Sequence, residues 1–177
     1  MAGRVAIVTG GTRGIGAAVS RMLKDRGYKV AATYAGNDEA AQKFKAETGI
    51  AVYKFDACDF AACQAGVAQI EKDLGPAEVL VNNAGITRDS TMRRLTRDMW
   101  DQVIDTNLGS CFNMCKSVWD SMLERGFGRI VNIGSINGQA GQYGELLLGG
   151  LESLDRLSIA HGAVRELLLD AELGLEA

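Results

Sequence analysis

A doubly wound α/β fold, a parallel sheet covered on both faces by helices, is what this chain predicts, and three observations predict it. Short β-branched runs alternate with stretches of helical apolar spacing from residue 4 to residue 134. The strand-like runs are dense in Val, Ile and Ala, as strands buried on both faces require. A glycine-rich loop lies directly between the first strand and the first helix. Strands joined through helices imply right-handed crossovers and parallel neighbours.

The elements follow in chain order. Residues 4–9 (Arg-Val-Ala-Ile-Val-Thr) read as a buried strand ended by Gly10 and Gly11. Residues 16–26 place Ala17, Val19 and Leu23 at helical spacing and stop at Gly27, a fitting residue past a helix end. Residues 29–34 are a second strand, and 38–48 a polar-faced helix ending at Gly49. Residues 51–55 form a third strand, 61–74 a helix closed by Gly75-Pro76, and 78–81 a fourth strand. The stretch 96–125 is long and mostly helical, and 129–134 (Arg-Ile-Val-Asn-Ile-Gly) is a fifth strand. In such a sheet ligands bind beyond the carboxyl ends of the strands.

Composition removes several function classes. At 177 residues the chain has room for one domain, and 47% apolar with 23% charged residues is a soluble globular mixture. Twenty-two glycines against one proline, without a period, exclude a collagen-like chain. No run of about 18 apolar residues predicts a membrane-spanning helix, and the first residues lack the basic-then-apolar pattern of a secretory signal. A net charge of −3 argues against nucleic acid or an anionic membrane as partner. Cys58, Cys63, Cys111 and Cys115 lack C-x-x-C spacing, so they read as packing thiols of a reducing cytoplasm and not as a metal site.

The averages conceal a break at residue 145. Residues 1–144 hold 17 Lys+Arg, 15 Asp+Glu and 6 Leu, whereas the 33 residues 145–177 hold 2, 7 and 11. The second piece has no Lys, Tyr, Phe, Asn, Thr, Met or Pro. The two pieces are therefore read separately: a dinucleotide-binding domain over 1–144 and an atypical Leu-rich tail over 145–177.

The strongest motif is Thr9-Gly10-Gly11-Thr12-Arg13-Gly14-Ile15-Gly16. Glycines let the backbone turn tightly and approach a pyrophosphate, which then meets the positive end of the following helix. The spacing Gly-x-x-x-Gly-x-Gly, with Asn82-Asn83-Ala84-Gly85 ending the fourth strand and Asn107 and Ser135 beyond, resembles the short-chain dehydrogenase/reductase family over residues 3–144. The segments 83–89, 105–108 and 135–139 are similar to its NADPH-dependent acetoacetyl-CoA reductases of polyhydroxybutyrate synthesis. The 3-oxoacyl-acyl-carrier-protein reductases are second in resemblance.

The resemblance implies a Rossmann-type sheet and a cofactor site made of Gly10, Thr12, Arg13, Gly14, Ile15, Gly16, Asp56, Ala57, Asn83, Ala84 and Gly85. It also implies a substrate site with Asp89, Gln142 and Tyr143, an acyl-thioester substrate, and a homotetramer. The choice of nicotinamide follows from charge. An acid after the second strand would hold a ribose 2′-hydroxyl and repel a 2′-phosphate. Here that strand runs into Thr33-Tyr34-Ala35-Gly36-Asn37, with no carboxylate before Asp38, and Arg13 supplies positive charge, which favours NADP. Asp56 has a second reading, as a cap on the next helix.

Reducing a β-ketoacyl thioester needs a hydride and a proton for the developing alkoxide. By resemblance Ser135 polarises the carbonyl and Asn107 anchors a water relay; the alternatives are an ordinary loop serine after a strand and a hydrogen bond at a helix kink. The family's proton-donating Tyr lies 13 residues after that Ser, and the Lys that lowers its pKa 17 after; these positions are Leu148 and Glu152. Tyr143 reads as packing, and His161, the single histidine, as a surface residue. The tail thus replaces the Tyr-x-x-x-Lys helix, in the manner of a gene read out of frame. The leucine spacing predicts a replacement amphipathic helix over 151–171. The sheet is expected to stop at the fifth strand with a bare edge, which would impair solubility, and activity is expected to be impaired or absent.

Overall fold

The computed structural model describes residues 3–135 and, as backbone, the strand Val164–Leu169. The strand β1 (Val5–Val8) is buried at every position: Val5 and Ile7 face one layer of helices, Ala6 and Val8 the other. Helix α1 (Gly14–Asp25) leads to β2 (Lys29–Tyr34), α2 (Asp38–Thr48) to β3 (Ala51–Lys54), and α3 (Phe60–Leu74) to β4 (Ala77–Asn82). After a loop come α4 (Arg97–Val103), a π-helical stretch (Ile104–Gly109), α5 (Ser110–Glu124) and β5 (Gly128–Ile133).

All strand pairs are parallel, in the order β3-β2-β1-β4-β5 and then a sixth strand, β6 (Val164–Leu169). The doubly wound parallel sheet expected from the sequence is therefore present, with its reversal of direction between β1 and β4. One layer packs Cys63, Val67 and Ile70 of α3 and Met114, Val118 and Met122 of α5 under the sheet. The opposite layer packs Ala17, Phe44 and Ile50 over Ala6, Val8, Val30 and Val81.

Local chemistry sets the helix ends. Asn37 Oδ1 accepts the Ala40 N–H at 2.9 Å, Asp38 and Glu39 occupy the first turn of α2, and Gly49 closes it in the left-handed conformation. Asp59 caps α3 by accepting the Ala62 N–H, and Thr96 caps α4 by accepting that of Met99. The stretch read as mostly helical over 96–125 is helical over 97–124, with a π turn at Ile104–Gly109 that has no residue-type signal.

The reading of 151–171 as a helix is corrected in part by β6. Residues 164–169 pair with β5 from Gly128↔Val164 to Ile133↔Leu169, so the sheet continues past its fifth strand and the β5 edge is not bare. A strand edge presents a row of N–H and C=O groups that require partners, and satisfying them overrides the weak preference carried by helical leucine spacing. The outer edge at the other end is β3, four residues long and ended by exposed Lys54, a short charged edge that discourages further pairing. Gln142, Tyr143, Leu148, Glu152 and His161 lie outside the described residues. Among the described residues no helix is long and apolar enough to cross a membrane.

Cys63 sits fully buried in the layer under α3 and α5. Burial, reinforced by Asp59 and then Asp56, pushes its thiol up to about 11 from an ordinary value of 9. A raised acid favours the neutral form in the folded state. Its contribution to stability is therefore complete below pH 9 and lost as pH rises toward 11. Urea melts of wild type and Cys63→Ala across this range should converge, with wild type losing the larger part of its stability.

Candidate functional site

The loops that follow β1, β2, β3 and β4 enclose a cleft of about 700 Å³ beyond the carboxyl ends of these strands. Residues 10 and 12–15 line it from β1, 33–37 from β2, 55–58 from β3, and 83–86 from β4, with Ala40 of α2 and Thr106 of the π turn. The cleft thus lies at the point where the strand order reverses.

A buried threonine assembles its floor. Thr9 Oγ1 accepts the N–H groups of both Asn83 and Ala84 at 2.9 Å, and Asn83 Nδ2 donates in return to the Thr9 carbonyl at 2.9 Å. The loop after β1 is thereby fixed to the loop after β4. Gly16 shows how close this approach is: a Cβ there would stand 2.3 Å from the Gly10 oxygen and 2.6 Å from Asn83 Nδ2. No other residue fits. Gly10 itself has φ +61°, and Gly14, also left-handed, has open space where a side chain would be.

Helix α1 begins at the cleft with Arg13 as its N-cap and no side chain satisfying its first N–H groups, unlike α2, α3 and α4. Its first turn carries no acid. The positive end of the helix therefore lies beside an open, glycine-lined wall, the arrangement in which an anion is stabilised.

The charge around the end of β2 is settled by three side chains. Asp38 accepts from Lys54 Nζ at 2.7 Å and from the Tyr34 hydroxyl at 3.1 Å. These bonds, Lys54 first, hold its carboxyl below the usual carboxylate range, and Asp38 in turn raises the lysine. Tyr34 is raised too, by burial and then by its bond to Asp38. Asp38 does not line the cleft, so the cleft wall after β2 carries no carboxylate.

Ten of the eleven residues read from the sequence as holding a cofactor line this cleft; Gly16 lies buried behind it. Asp56 does not cap α3, which Asp59 does; its carboxylate accepts the Cys58 N–H at 2.9 Å and shapes the loop. Asn107 stands in the π turn, and its side chain reaches across to Ile86, accepting from the N–H at 2.8 Å and donating to the carbonyl at 3.1 Å. Ser135 follows β5 by two residues, and Asp89 is exposed; neither is part of the cleft wall. The sequence reading missed Phe55, Cys58, Ile86 and Thr106 as wall residues. Ile86 and Thr106 lie within the family-like segments 83–89 and 105–108, Phe55 directly follows β3, and Cys58 stands in the loop after it. Burial raises the Cys58 thiol, which keeps it from being a ready nucleophile. Among the described residues no group of three or more His, Cys, Asp or Glu side chains is placed to hold a metal ion.

The model of a family described as short chain dehydrogenase matches residues 4–146. An acetoacetyl-CoA reductase from Shinella zoogloeoides is 63% identical over 142 residues, which cover 80% of this chain and 59% of that protein. An acetoacetyl-CoA reductase from Rhizobium meliloti is 59% identical over 143 residues, 81% of this chain and 59% of the relative. A 3-oxoacyl-acyl-carrier-protein reductase from Vibrio harveyi is 37% identical over 145 residues, with 81% and 59% covered. The chain thus spans 59% of the length of these curated relatives.

Replacing Thr9 by the isosteric Val removes the acceptor of two N–H groups without opening a cavity. Each donor left without a partner costs about 1–3 kcal/mol when buried, so Thr9→Val should lower the free energy of unfolding by about that amount or more. Thr9→Ser, which keeps the hydroxyl, should recover most of the loss in denaturant melts.

Proposed function

Because the chain belongs to the short-chain dehydrogenase family, we propose that it binds NADP and carries the site of a reductase of β-ketoacyl thioesters. Acetoacetyl-CoA, reduced to 3-hydroxybutyryl-CoA on the way to polyhydroxybutyrate, is the substrate proposed first. The observation that carries the cofactor reading is the cleft itself: a glycine-lined wall at an uncapped helix start, with Arg13 beside it and no carboxylate after β2. Support for the substrate comes from relatives at 59–63% identity named acetoacetyl-CoA reductase, against 37% for the acyl-carrier-protein reductase.

The residues present fit the group. Gly10, Thr12, Gly14, Ile15 and Gly16 would bring backbone close to the pyrophosphate, and the open start of α1 would meet its charge. Arg13 would face the 2′-phosphate. Asp56 and Ala57 would take the adenine, and Asn83, Ala84 and Gly85 the wall toward the nicotinamide. When bound, the cofactor supplies the hydride.

The chain's own part in reduction is to position and polarise the carbonyl and to deliver a proton. Ser135, just past β5, is proposed to donate a hydrogen bond to the substrate carbonyl. Asn107 commits both ends of its amide to Ile86. Its side chain is therefore proposed to fix the wall 83–86 in addition to anchoring a water relay. Asp89, Gln142 and Tyr143 are proposed on the substrate side, by resemblance. Proton delivery is the deficit: Leu148 and Glu152 occupy the positions of the acid and of its activating cation. A leucine cannot donate, and a glutamate would raise rather than lower a neighbouring phenol. This pair of residues supports a second reading, a chain that binds the dinucleotide and turns substrate over slowly or not at all.

Two measurements test these readings. In a fluorescence titration NADPH should bind more tightly than NADH, and Arg13→Ala should narrow the gap by about tenfold, the low end for a charged hydrogen bond. Equal binding of the two cofactors by the unmodified chain would refute the NADP reading. A positioned general acid contributes about 10²–10⁴-fold, so NADPH oxidation with acetoacetyl-CoA should lie that far below an intact relative. The double change Leu148→Tyr with Glu152→Lys should restore more than the two single changes together, because a Tyr alone keeps a pKa near 10. Activity within about tenfold of an intact relative would refute the reading of the deficit.

A further inference from the structure

One buried amide outside the motifs has an assignable task. Asn113 lies in α5 at 9% exposure, among Ser110, Met114 and Val118 on the face that packs beneath the sheet. A primary amide in such a place is unfavourable unless its hydrogens find acceptors. Both do: Asn113 Nδ2 donates to the Ala57 carbonyl at 3.0 Å and to the Cys58 carbonyl at 3.1 Å. These are consecutive carbonyls of the loop that contributes Asp56, Ala57 and Cys58 to the cleft wall.

The chemistry is selective for asparagine. One nitrogen bearing two N–H groups bridges two successive carbonyls; a hydroxyl has one hydrogen to give, and a carboxylate or an alkyl group none. The other ties of this loop are mostly local, although the Cys58 thiol also reaches the Thr106 hydroxyl of the π turn at 3.6 Å. The Asp59 N–H donates to the Asp56 carbonyl at 3.1 Å, the Cys58 N–H to the Asp56 carboxylate at 2.9 Å, and the Cys63 thiol lies 3.4 Å from the Ala57 oxygen. Asn113 supplies a strong, long-range bond to a helix that does not itself line the cleft. From the same helical segment, Asn107 holds Ile86 on the opposite wall. The two walls are thereby tied to one helical segment, through side chains six residues apart in sequence.

We infer that Asn113 is a positioning residue for the loop after β3 and, through it, for the adenylate end of the cofactor. The inference rests on the dinucleotide reading above. Its action is indirect: Asn113 holds the carbonyls of the loop while the opposite side of the loop meets the ligand.

The full chain tests this in two arms. In hydrogen–deuterium exchange without cofactor, Asn113→Leu should speed exchange over residues 56–63 by about tenfold, the effect of losing roughly 1.4 kcal/mol of hydrogen bonding, and leave 83–86 unchanged. In titrations, the same variant should bind adenosine 2′-phosphate about tenfold more weakly, with binding of reduced nicotinamide mononucleotide within about twofold of wild type. Asn113→Ser keeps one donor and should fall between; it is the variant measured if the leucine chain does not melt cooperatively. Unchanged exchange over 56–63, or an equal loss for both fragments, overturns the inference, the latter because it reports general loosening. If the unmodified chain binds neither fragment, the dinucleotide reading falls and takes the cofactor half of the inference with it. The exchange arm still decides whether Asn113 holds the loop.

Discussion

The hydroxyl of Thr9, buried between the ends of β1 and β4, accepts two backbone N–H groups from the loop 83–84, and the geometry of the cleft is referred to that point. β1 and β4 are adjacent in the sheet although 72 residues separate Thr9 from its Val81 contact. At the reversal of strand order two crossovers leave in opposite directions, so a gap opens above the strand ends. Thr9 and Asn83 close the bottom of that gap with reciprocal bonds, and the close approach of Gly16 to Gly10 leaves no room for a side chain. A glycine loop alone is only a tight turn. Here the fixed neighbour across the gap turns it into one wall of a site.

The segment from α4 to α5 does for the outer walls what Thr9 does for the floor. Its buried face, with Met114, Val118 and Met122, anchors it under the sheet through apolar contact. Its polar positions reach outward to loops: Asn107 to Ile86, Asn113 to Ala57 and Cys58. The π turn widens the helix by one residue per turn at Ile104–Gly109, and it is within this turn that Asn107 reaches Ile86 and Thr106 reaches the cleft. The same segment thus joins the apolar layer under the sheet to the loops that shape the cleft.

Electrostatics near β2 follows the same pattern of local pairing with a distant consequence. Lys54 and Tyr34 both bond to Asp38, and the two strand ends that carry them are register partners in the sheet. The first carboxylate after β2 is therefore occupied by a cation outside the cleft. The cleft wall after β2, residues 33–37, keeps only neutral groups.

How much of this was legible in the sequence differs by element for physical reasons. The strands, the helices that join them and the glycine loop were readable because each is dictated by short-range chemistry: apolar runs at strand or helix spacing, and glycines at the left-handed positions 10, 14 and 49. Ten wall residues were found because family motifs record strand ends as well as residue types. The π turn was not legible, since its residues Ile-Asp-Thr-Asn-Leu-Gly suit an ordinary helix and only the contact with Ile86 reveals its use. Asn113 was missed because a polar residue on a buried helix face has no meaning until the carbonyls opposite it are known. The strand at Val164–Leu169 was misread as helix because the helical spacing of the leucines upstream was extended over it, although its own leucines, 167–169, are consecutive and suit a strand as well. The open edge of β5, some 35 residues earlier in the chain, decided the matter by offering backbone partners. Local propensity and motif spacing are properties of the chain itself, whereas pairing across a sheet and hydrogen bonds between distant loops exist only once the chain has brought their donors and acceptors together.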